Sequence, residues 1–239
     1  MSSETPESTP AIILAGGLGT RLRTVVSNVP KVLAPVAGRP FLHHLLRRLD
    51  AAGFVRVVLA VGYLRDLVME SVGSQYLDLS ISYSTEEEPL GTGGAIRQAL
   101  AAVEAARALV INGDTWLDVD YRAMLAAHMA AQSRVTLAVV PVNDVSRYGS
   151  VVIGADGRVV RFAEKGERRQ GLINGGVYVL EQDVLCDASL PSVFSFESDF
   201  LVSRCEAVRP LAFSTSGQFI DIGVPEDYEM AKAILGATG

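Results

Sequence analysis

The hydrophobic pattern over the first 140 residues alternates between short apolar runs and segments whose apolar positions recur every three to four residues. The short runs predict strands at 11–15, 55–61, 79–83, 109–112 and 135–140. The helical spacing predicts helices at 41–49, 64–72, 92–105 and 121–131. Strands that alternate with helices form right-handed crossover units, so we expect an α/β fold with a mostly parallel sheet flanked by helices. Ligands of such sheets bind beyond the carboxyl ends of the strands.

Near residue 148 the hydrophobic pattern changes from alternating strands and helices to mainly strands. Strands are predicted at 151–153, 159–162, 172–180 and 218–222, followed by a final helix at 225–234. Asp156-Gly157 is typical of the turn of a β-hairpin. No repeat or low-complexity linker interrupts the sequence. We therefore expect a disordered polar tail at 1–9 and a single domain at 10–239, in which a hairpin-rich part (146–239) follows the α/β part (10–145).

Composition and charge exclude several classes of protein. The formal net charge is −6, which argues against a nucleic-acid surface because phosphate binding needs a basic stripe. No apolar run reaches the length of a membrane span, and the N-terminus lacks the pattern of a signal peptide. The two cysteines, Cys186 and Cys205, lack metal-ligand spacing and are expected to be reduced and mostly buried. We expect a cytoplasmic protein whose oligomeric state cannot be read from its sequence.

A glycine-rich segment, Leu-Ala-Gly-Gly-Leu-Gly-Thr-Arg-Leu at 14–22, follows the first predicted strand. Glycines allow backbone N–H groups to approach a phosphate closely, although a merely tight turn remains open as an alternative. The segment lacks the third glycine of a dinucleotide-binding fingerprint and the Gly-Lys-Ser/Thr of an ATPase P-loop. Arg21 ends this segment, and Pro30-Lys31 follows ten residues later on an extended stretch that can return to the same phosphates. A guanidinium and an ammonium beside a row of amides suit a triphosphate.

Two aspartates end predicted strands at the edge where a ligand would lie, Asp114 in Asn112-Gly113-Asp114 and Asp221 in the strand at 218–222. A lone aspartate at a strand end is usually a turn or cap residue. Two of them beside a triphosphate loop are better explained as Mg²⁺ ligands, because hard cations prefer carboxylate oxygens. Asp118 and Asp120 have the Asp-x-Asp spacing of metal-dependent glycosyltransferases, but capping of the following helix is the simpler interpretation.

The segment at 14–22 together with Pro30-Lys31 resembles the signature of the sugar-1-phosphate nucleotidyltransferases. The resemblance covers nearly the whole chain and implies a Rossmann-like core and a two-magnesium mechanism, with Asp114 and Asp221 as the metal-binding aspartates. Arg21, Lys31 and Asp114 would then be catalytic. The chain departs from the family at Thr24-Val25-Val26, where a proline is common; this affects loop rigidity more than chemistry.

The resemblance also places the segment at 86–95 over the nucleobase. Its residues alone allow another interpretation, an acidic loop that caps a helix at Thr92. Glu86, or alternatively Glu88, would accept the N1–H and N2–H donors of guanine, which favours GTP over UTP or dTTP. The implied nucleotide contacts are Leu14, Ala15, Gly16, Gly17, Gly19, Thr20, Arg21, Lys31, Glu86, Gly91, Gly94, Asn112 and Gly113.

Residues of the second half would form the site for the sugar 1-phosphate. In this family, matching positions would be Tyr148, Gly149, Glu164, Lys165, Asn174 and Gly176. Lys165 would hold the sugar phosphate, Glu164 and Asn174 would bind hydroxyl groups, and Gly149 would leave room for the ring. In isolation, Glu164-Lys165 is an ordinary surface charge pair. The three histidines, His43, His44 and His128, lie in helical stretches and are expected to be structural.

Within the family, the segments at 88–95, 147–149, 171–178, 194–197 and 219–228 look most like those of the D-glycero-α-D-manno-heptose 1-phosphate guanylyltransferases. These enzymes make GDP-heptose for bacterial surface polysaccharides from GTP and the sugar 1-phosphate. Mannose-1-phosphate guanylyltransferases and N-acetylmuramate-1-phosphate uridylyltransferases remain alternatives with the same loop, lysine and aspartates. An inactive nucleotide-sugar sensor on the same fold is a further alternative, which would be expected to have lost the phosphate and metal residues.

Overall fold

The computed structural model describes residues 5–17, 29–166, 168–223 and 225–236. Three predicted site residues, Gly19, Thr20 and Arg21, lie outside the described residues. The predicted tail at 1–9 is described from residue 5 onward, and there it differs from the expected disorder. Residues 5–9 form a turn in which Thr5 accepts the backbone N–H groups of Ser8 and Thr9. Thr9 is buried, and Glu7 pairs with Arg122 of a later helix at 2.9 Å.

The first half of the chain confirms the predicted alternation, with shifts of a few residues at the ends of elements. Its strands are β1 (Ala11–Leu14), β2 (Pro35–Val36), β3 (Arg39–Pro40), β4 (Arg56–Val61), β5 (Gln75–Tyr76), β6 (Leu79–Thr85), β7 (Arg107–Asn112), β8 (Thr115–Leu117) and β9 (Val135–Val142). Its helices are α1 (Phe41–Ala51), α2 (Arg65–Val72), α3 (Gly91–Ala102) and α4 (Tyr121–Ala130), and Lys31–Leu33 forms one turn of 3-10 helix. Asp120 caps α4 by accepting the N–H of Ala123, as expected.

The second half contributes more strands and two helical segments that the sequence did not predict. Its strands are β10 (Ser150–Ile153), β11 (Val159–Ala163), β12 (Gly171–Glu181), β13 (Leu211–Ser214) and β14 (Phe219–Asp221). A π-helix at Phe196–Val202 and the short helix α5 (Cys205–Val208) precede β13, and α6 (Pro225–Gly236) ends the described chain. The predicted hairpin is confirmed as β10 and β11, with Gly157 in the left-handed region at φ 75°.

The main sheet runs through both halves of the chain. Within the described residues it has ten strands, in the order β11-β10-β12-β7-β1-β4-β6-β5, with β9 beside β12 and β13 beside β9. The central strands β7, β1, β4 and β6 are parallel. The long strand β12 is antiparallel to both β7 and β9 and thereby joins the second half to the first. The expected Rossmann-like mixed sheet, flanked by helices, is confirmed.

Both faces of this sheet are buried, which explains why its strands read as unbroken apolar runs. Because side chains alternate along a strand, Ile12 faces α3 whereas Ile13 faces α1. One face packs against α1, α2, α4 and α6, and the other against α3, the π-helix and α5. Cys205 lies buried in the second of these layers, whereas Cys186 is exposed. No helix among the described residues is long and apolar enough to cross a membrane.

A small antiparallel ladder beyond the main sheet brings distant parts of the chain together. β8 pairs with β14 so that Thr115 lies opposite Asp221. The N–H of Ile222 donates to the carbonyl of Asp114 at 3.0 Å, and the N–H of Asp118 donates to that of Gln218 at 2.9 Å. The ladder therefore fixes the backbones of Asp114 and Asp221 side by side.

Gly217 lies at the entrance to this ladder, where the backbone leaves no room for a side chain. A Cβ added there would lie 1.7 Å from the carbonyl oxygen of Asp118. We expect Gly217→Ala to lower the free energy of unfolding by about 1–3 kcal/mol, since the strands must separate to admit the methyl group. Thermal unfolding followed by circular dichroism should show a decrease of roughly 2–4 °C per kcal/mol.

The matched control is Gly236→Ala, because a Cβ at Gly236 would make an ordinary contact with Ala37 at 3.6 Å. This variant should unfold within about 0.5 kcal/mol of the wild type. Equal stability of the Gly217 and Gly236 variants would contradict the tight packing of the ladder.

Candidate active site

Lys31 lies between the two predicted metal-binding aspartates. Its Nζ is 2.7 Å from Oδ2 of Asp114 and 3.6 Å from Oδ1 of Asp221. The lysine side chain is only 13% exposed, compared with 39% for Asp114 and 27% for Asp221. Burial and the neighbouring carboxylate of Asp114 raise the pKa of Asp221, while the Lys31 ammonium opposes the shift. The structure thus brings together one cation and two carboxylates that are 83 or more residues from the lysine in sequence.

Local backbone structure sets this geometry. Lys31 opens a 3-10 turn in which Leu33 and Ala34 donate to the carbonyls of Pro30 and Lys31. The extended segment expected around Lys31 is therefore a tight turn. Gly223 lies close to the cluster, since a Cβ there would lie 2.7 Å from Oδ1 of Asp221 and 3.0 Å from Nζ of Lys31.

A cleft of about 430 Å³ opens directly over this cluster. Its walls include five of the predicted nucleotide contacts: Leu14, Gly17, Lys31, Asn112 and Gly113. Gly113 is pressed against the end of β1, because a Cβ there would lie 2.2 Å from the carbonyl oxygen of Leu14. The carboxyl ends of β1 and β7 therefore form the floor of the cleft, where the topology of a parallel sheet places a ligand.

Of the other predicted nucleotide contacts, those that the structure describes do not line this cleft: Ala15, Gly16, Glu86, Gly91 and Gly94. Ala15 is buried and donates its N–H to the carbonyl of Ala60. Gly16 faces Glu86, whose Oε1 would lie 2.9 Å from a Cβ at that glycine. The other carboxylate oxygen of Glu86 accepts the N–H of Leu90 at 2.8 Å. Burial raises the pKa of Glu86, although the hydrogen bond from Leu90 opposes this. The glycine segment and the acidic segment are thus in contact.

Gly91 and Gly94, which the resemblance implies as nucleotide contacts, are required by packing inside the protein. A Cβ at Gly91, which has φ 69°, would lie 2.5 Å from the carbonyl oxygen of Phe194. A Cβ at Gly94 would lie 2.7 Å from the carbonyl oxygen of Ser192. The helix begins at Gly91 and not after a Thr92 cap, because Thr92 instead accepts the N–H of Phe196 through its hydroxyl at 2.9 Å. These glycines let the segment at 192–196 dock onto the start of α3.

A second cavity, of about 550 Å³, adjoins the first. Five of the six predicted sugar-phosphate residues line it: Tyr148, Gly149, Glu164, Lys165 and Asn174. The sixth, Gly176, is buried elsewhere, where a Cβ would lie 3.0 Å from the amide nitrogen of Asn112. Gly149 has φ 76° and lies against the carbonyl of Ala163. Hairpin β10–β11 and strand β12 thus gather residues from three separate segments around one cavity.

Arg147 and Tyr148 are held at the edge of this cavity by Asp227 of α6. An Arg147 N–H donates to Oδ2 of Asp227 at 2.8 Å, and the Tyr148 hydroxyl lies 3.4 Å from the same oxygen. Burial and the Asp227 charge raise the pKa of Tyr148 to about 12. The ring of Tyr148 meets that of Phe219 edge-on, with centroids 5.4 Å apart. The tyrosine therefore remains a neutral, fixed wall.

Glu197 lines both cavities and was missed as a site residue by reasoning from the sequence. It lies in the π-helix, and its Oε1 accepts hydrogen bonds from the hydroxyl of Tyr178 and the amide of Asn174, each at 3.2 Å. Desolvation by the surrounding protein raises the pKa of Glu197, and the negative charges of Asp114 and Asp221 raise it further. The hydrogen bond from Tyr178 and the positive charge of Lys165 oppose this shift. Its position depends on contacts that no local pattern reveals.

The histidines are structural in this arrangement, as expected. His128 is buried and lies 2.8 Å from Thr136 and 3.0 Å from Glu181, both on strands of the main sheet. His44 is 2.8 Å from the carbonyl of Val36. His43 contacts Ser71 and the ring of Tyr76. These three residues tie helices to neighbouring elements and line neither cavity.

Comparison with known proteins agrees with this geometry. The chain matches the nucleotidyl transferase family over residues 10–237. It is 43% identical over 225 residues to the D-glycero-alpha-D-manno-heptose 1-phosphate guanylyltransferase of Aneurinibacillus thermoaerophilus, over 94% of this chain and 97% of that protein. It is 35% identical over 229 residues to the mannose-1-phosphate guanylyltransferase of Mycobacterium tuberculosis, over 94% of this chain but 64% of that protein. HddC from Yersinia pseudotuberculosis, solved in complex with GMP-PN, has a TM-score of 0.84 and 39% identity, over 95% of this chain and 99% of that chain. The chain belongs to the nucleotidyl transferase family.

Proposed function

We propose that this protein transfers GMP from GTP to D-glycero-α-D-manno-heptose 1-phosphate and releases pyrophosphate, forming GDP-heptose. The observation that carries the proposal is the 43% identity to a heptose 1-phosphate guanylyltransferase, because it extends over nearly the full length of both chains. The lysine, the two aspartates and the two adjoining cavities supply the groups that such a reaction needs. Both substrates are phosphorylated metabolites, so we propose that the enzyme acts in the cytoplasm.

The chemistry requires little from the protein beyond positioning and charge. A sugar phosphate is already ionised near neutral pH, so its oxygen can attack the α-phosphorus of GTP without a general base. The new P–O bond forms as the bond to pyrophosphate breaks. Lys31 would stabilise the negative charge on the α-phosphate, since an ammonium placed beforehand favours charge that develops during reaction. Arg21, which lies outside the described residues, would bind the departing pyrophosphate.

Members of this family generally use a divalent metal, and we propose Mg²⁺ for this protein. Asp114 and Asp221 would hold the ion, because both carboxylates face the same point in the cleft. No group of three or more metal-binding side chains occurs among the described residues. Two carboxylates nevertheless fit Mg²⁺, which usually completes its coordination with water and substrate phosphates. When bound, the metal would neutralise charge on the α-phosphate and the leaving group.

The second cavity would bind the sugar 1-phosphate. Lys165 would pair with its phosphate, and Glu164 and Asn174 would bind hydroxyl groups of the sugar, because all three line the cavity. Gly149 borders the cavity with its backbone, and the absence of a side chain is required by the carbonyl of Ala163, whose oxygen would lie 2.6 Å from a Cβ at this position. Tyr148 would support the ring from the edge of the cavity.

Three alternatives from the sequence have less support. Mannose-1-phosphate guanylyl transfer is the nearer one, but the chain spans only about two thirds of the length of the mannose-specific relative. An inactive sensor would not need to keep Lys31, Asp114 and Asp221 in contact, yet these residues form a tight cluster. No contact or cavity described above favours N-acetylmuramate-1-phosphate uridylyl transfer.

The function is tested by measuring pyrophosphate release over a matrix of NTPs and sugar 1-phosphates. The wild-type protein with Mg²⁺ would be assayed with GTP, UTP, dTTP and ATP against heptose, mannose, glucose and N-acetylmuramate 1-phosphates. We expect the highest kcat/KM for GTP with the heptose 1-phosphate. Highest turnover with UTP or dTTP would contradict the guanine assignment, and absence of turnover with every pair would favour the sensor.

The metal assignment predicts that Asp114→Asn lowers kcat by about 100-fold or more, since the amide removes a negative ligand at the reacting phosphates. Circular dichroism should show an unchanged fold. The matched control is Asp183→Asn, because Asp183 pairs with Arg134 on the surface and is 70% exposed. Wild-type turnover in the Asp114 variant would rule out the role in metal binding.

The base assignment predicts that Glu86→Gln loses selectivity for GTP. A carboxylate can accept both guanine donors, whereas an amide offers one acceptor and one opposing donor. We expect kcat/KM for GTP to fall about 10- to 100-fold, with little change for UTP.

The same assignment predicts a pH dependence, because the pKa of Glu86 is raised. GTP binding by the wild type should weaken as the pH falls through that pKa and the carboxylate is protonated. The Glu86→Gln variant should lack this dependence. Glu87→Gln is the control, since Glu87 is 82% exposed beside Arg65.

A further inference from the structure

Within the part of the chain that the structure describes, one short segment borders both cavities and forms a wall between them. Ser195 and Glu197 line both the cleft over Lys31 and the second cavity. The segment is anchored on the side of the nucleotide cleft, where Phe194 donates to Leu90, Gly93 donates to Phe194 and Phe196 donates to Thr92. Substrate atoms that pass from one cavity to the other must therefore pass this wall.

The side chain of Glu197 has one oxygen engaged and the other available. Both protein donors, the hydroxyl of Tyr178 and the amide of Asn174, bind Oε1. Oε2 has no hydrogen-bond partner among the described residues, and Glu197 is exposed toward the cavities. A carboxylate held by one oxygen in this way presents the other as an oriented acceptor.

The support for this acceptor is rigid. Tyr178 is completely buried, and its ring meets that of Phe196 edge-on with centroids 5.0 Å apart. Phe196 in turn stacks on Phe200 with centroids 5.5 Å apart. The amide of Asn174 also donates to the Tyr178 hydroxyl at 2.8 Å, which closes a triangle of hydrogen bonds around Oε1. Glu197 lies in a π-helix. Such helices are rare in proteins, and those that occur are often found at functional sites.

From this geometry we infer that Glu197 is a specificity-determining residue that accepts a hydrogen bond from the 2-hydroxyl of the sugar 1-phosphate. The inference rests on the proposed function. For reaction, the sugar phosphate must reach the α-phosphate across the wall, so the anomeric carbon lies nearest to it. The ring atoms bonded to that carbon are the ring oxygen, which has no proton to donate, and carbon 2. The 2-hydroxyl is therefore the sugar donor nearest to Glu197.

The test compares wild type and Glu197→Ala with GTP and two acceptors, D-glycero-α-D-manno-heptose 1-phosphate and its 2-deoxy analogue. With the natural sugar, Glu197→Ala should lower kcat/KM by about 10- to 100-fold, mainly through the KM of the sugar phosphate. The wild type should lose a similar factor on the 2-deoxy analogue. The variant should lose nothing more on that analogue, because the hydrogen bond is already absent. The KM of GTP should stay unchanged.

Controls separate this role from a structural one. Glu206→Ala removes an exposed carboxylate on the neighbouring helix α5 and should leave all constants unchanged. Glu197→Gln keeps an acceptor for Tyr178 and preserves packing, so it should fold normally and show the same selective loss in smaller measure. If Glu197→Ala reduces activity equally on both sugars, or not at all, the inference is wrong.

Failure of the proposed function has a different signature. A wild type that is inactive with GTP and the heptose 1-phosphate but active with another pair would overturn the function alone, and the same comparison would then use that sugar and its 2-deoxy analogue. Calorimetric affinities of wild type and Glu197→Ala for both sugar phosphates give the same comparison without turnover. Equal losses of affinity for the two sugars would overturn the inference there also.

Discussion

The candidate site depends on one electrostatic constraint, the placement of a single ammonium between two carboxylates. Asp114 and Asp221 repel each other, and their proximity would be unfavourable without a cation. Lys31 supplies that cation, because its Nζ lies 2.7 Å from the carboxylate of Asp114 and 3.6 Å from that of Asp221. Both carboxylates are more exposed than the lysine. In the proposed function, the net negative charge of this cluster would suit a divalent cation, because hard cations prefer carboxylate oxygens.

This constraint is met by backbone structure outside the main sheet. The ladder of β8 and β14 holds the two aspartates, and Arg48 of α1 supports its outer side. The Arg48 guanidinium bonds to Asp118 and to the carbonyl of Val119, and it lies 5.0 Å from the centroid of the Trp116 ring. Positions that look peripheral in the fold therefore fix the geometry of the cluster. Distortion of the ladder would move both carboxylates relative to Lys31.

Much of the fold could be predicted from the sequence because the strands of the central sheet are buried on both faces and appear as unbroken apolar runs. β8 was not predicted, since three residues give no period, and neither was the π-helix, whose apolar spacing over 196–202 gives no sign of its hydrogen-bond pattern. Local signatures predicted Lys31, Asp114 and Asp221 as site residues, and the structure brings these three side chains into contact. Glu197 was not, because its orientation is set by Tyr178 and Asn174, 19 and 23 residues away in the chain. The glycines of the acidic segment were recognised as special, but the structure gives them another reason, the docking of 192–196.

That docked segment connects the two binding regions physically. Glu86 accepts the N–H of Leu90, and the carbonyl of Leu90 accepts the N–H of Phe194, three residues before Glu197. Hydrogen bonds thus connect Glu86 to Phe194, the residue before the segment that borders both cavities. The two segments pack without free space between them, because a Cβ at Gly91 would lie 2.5 Å from the carbonyl oxygen of Phe194 and one at Gly93 would lie 2.2 Å from its ring. The position of Glu197 is consequently set from two sides, by the hydrogen bonds with Tyr178 and Asn174 and by the docking of Phe194 on the segment at 86–94.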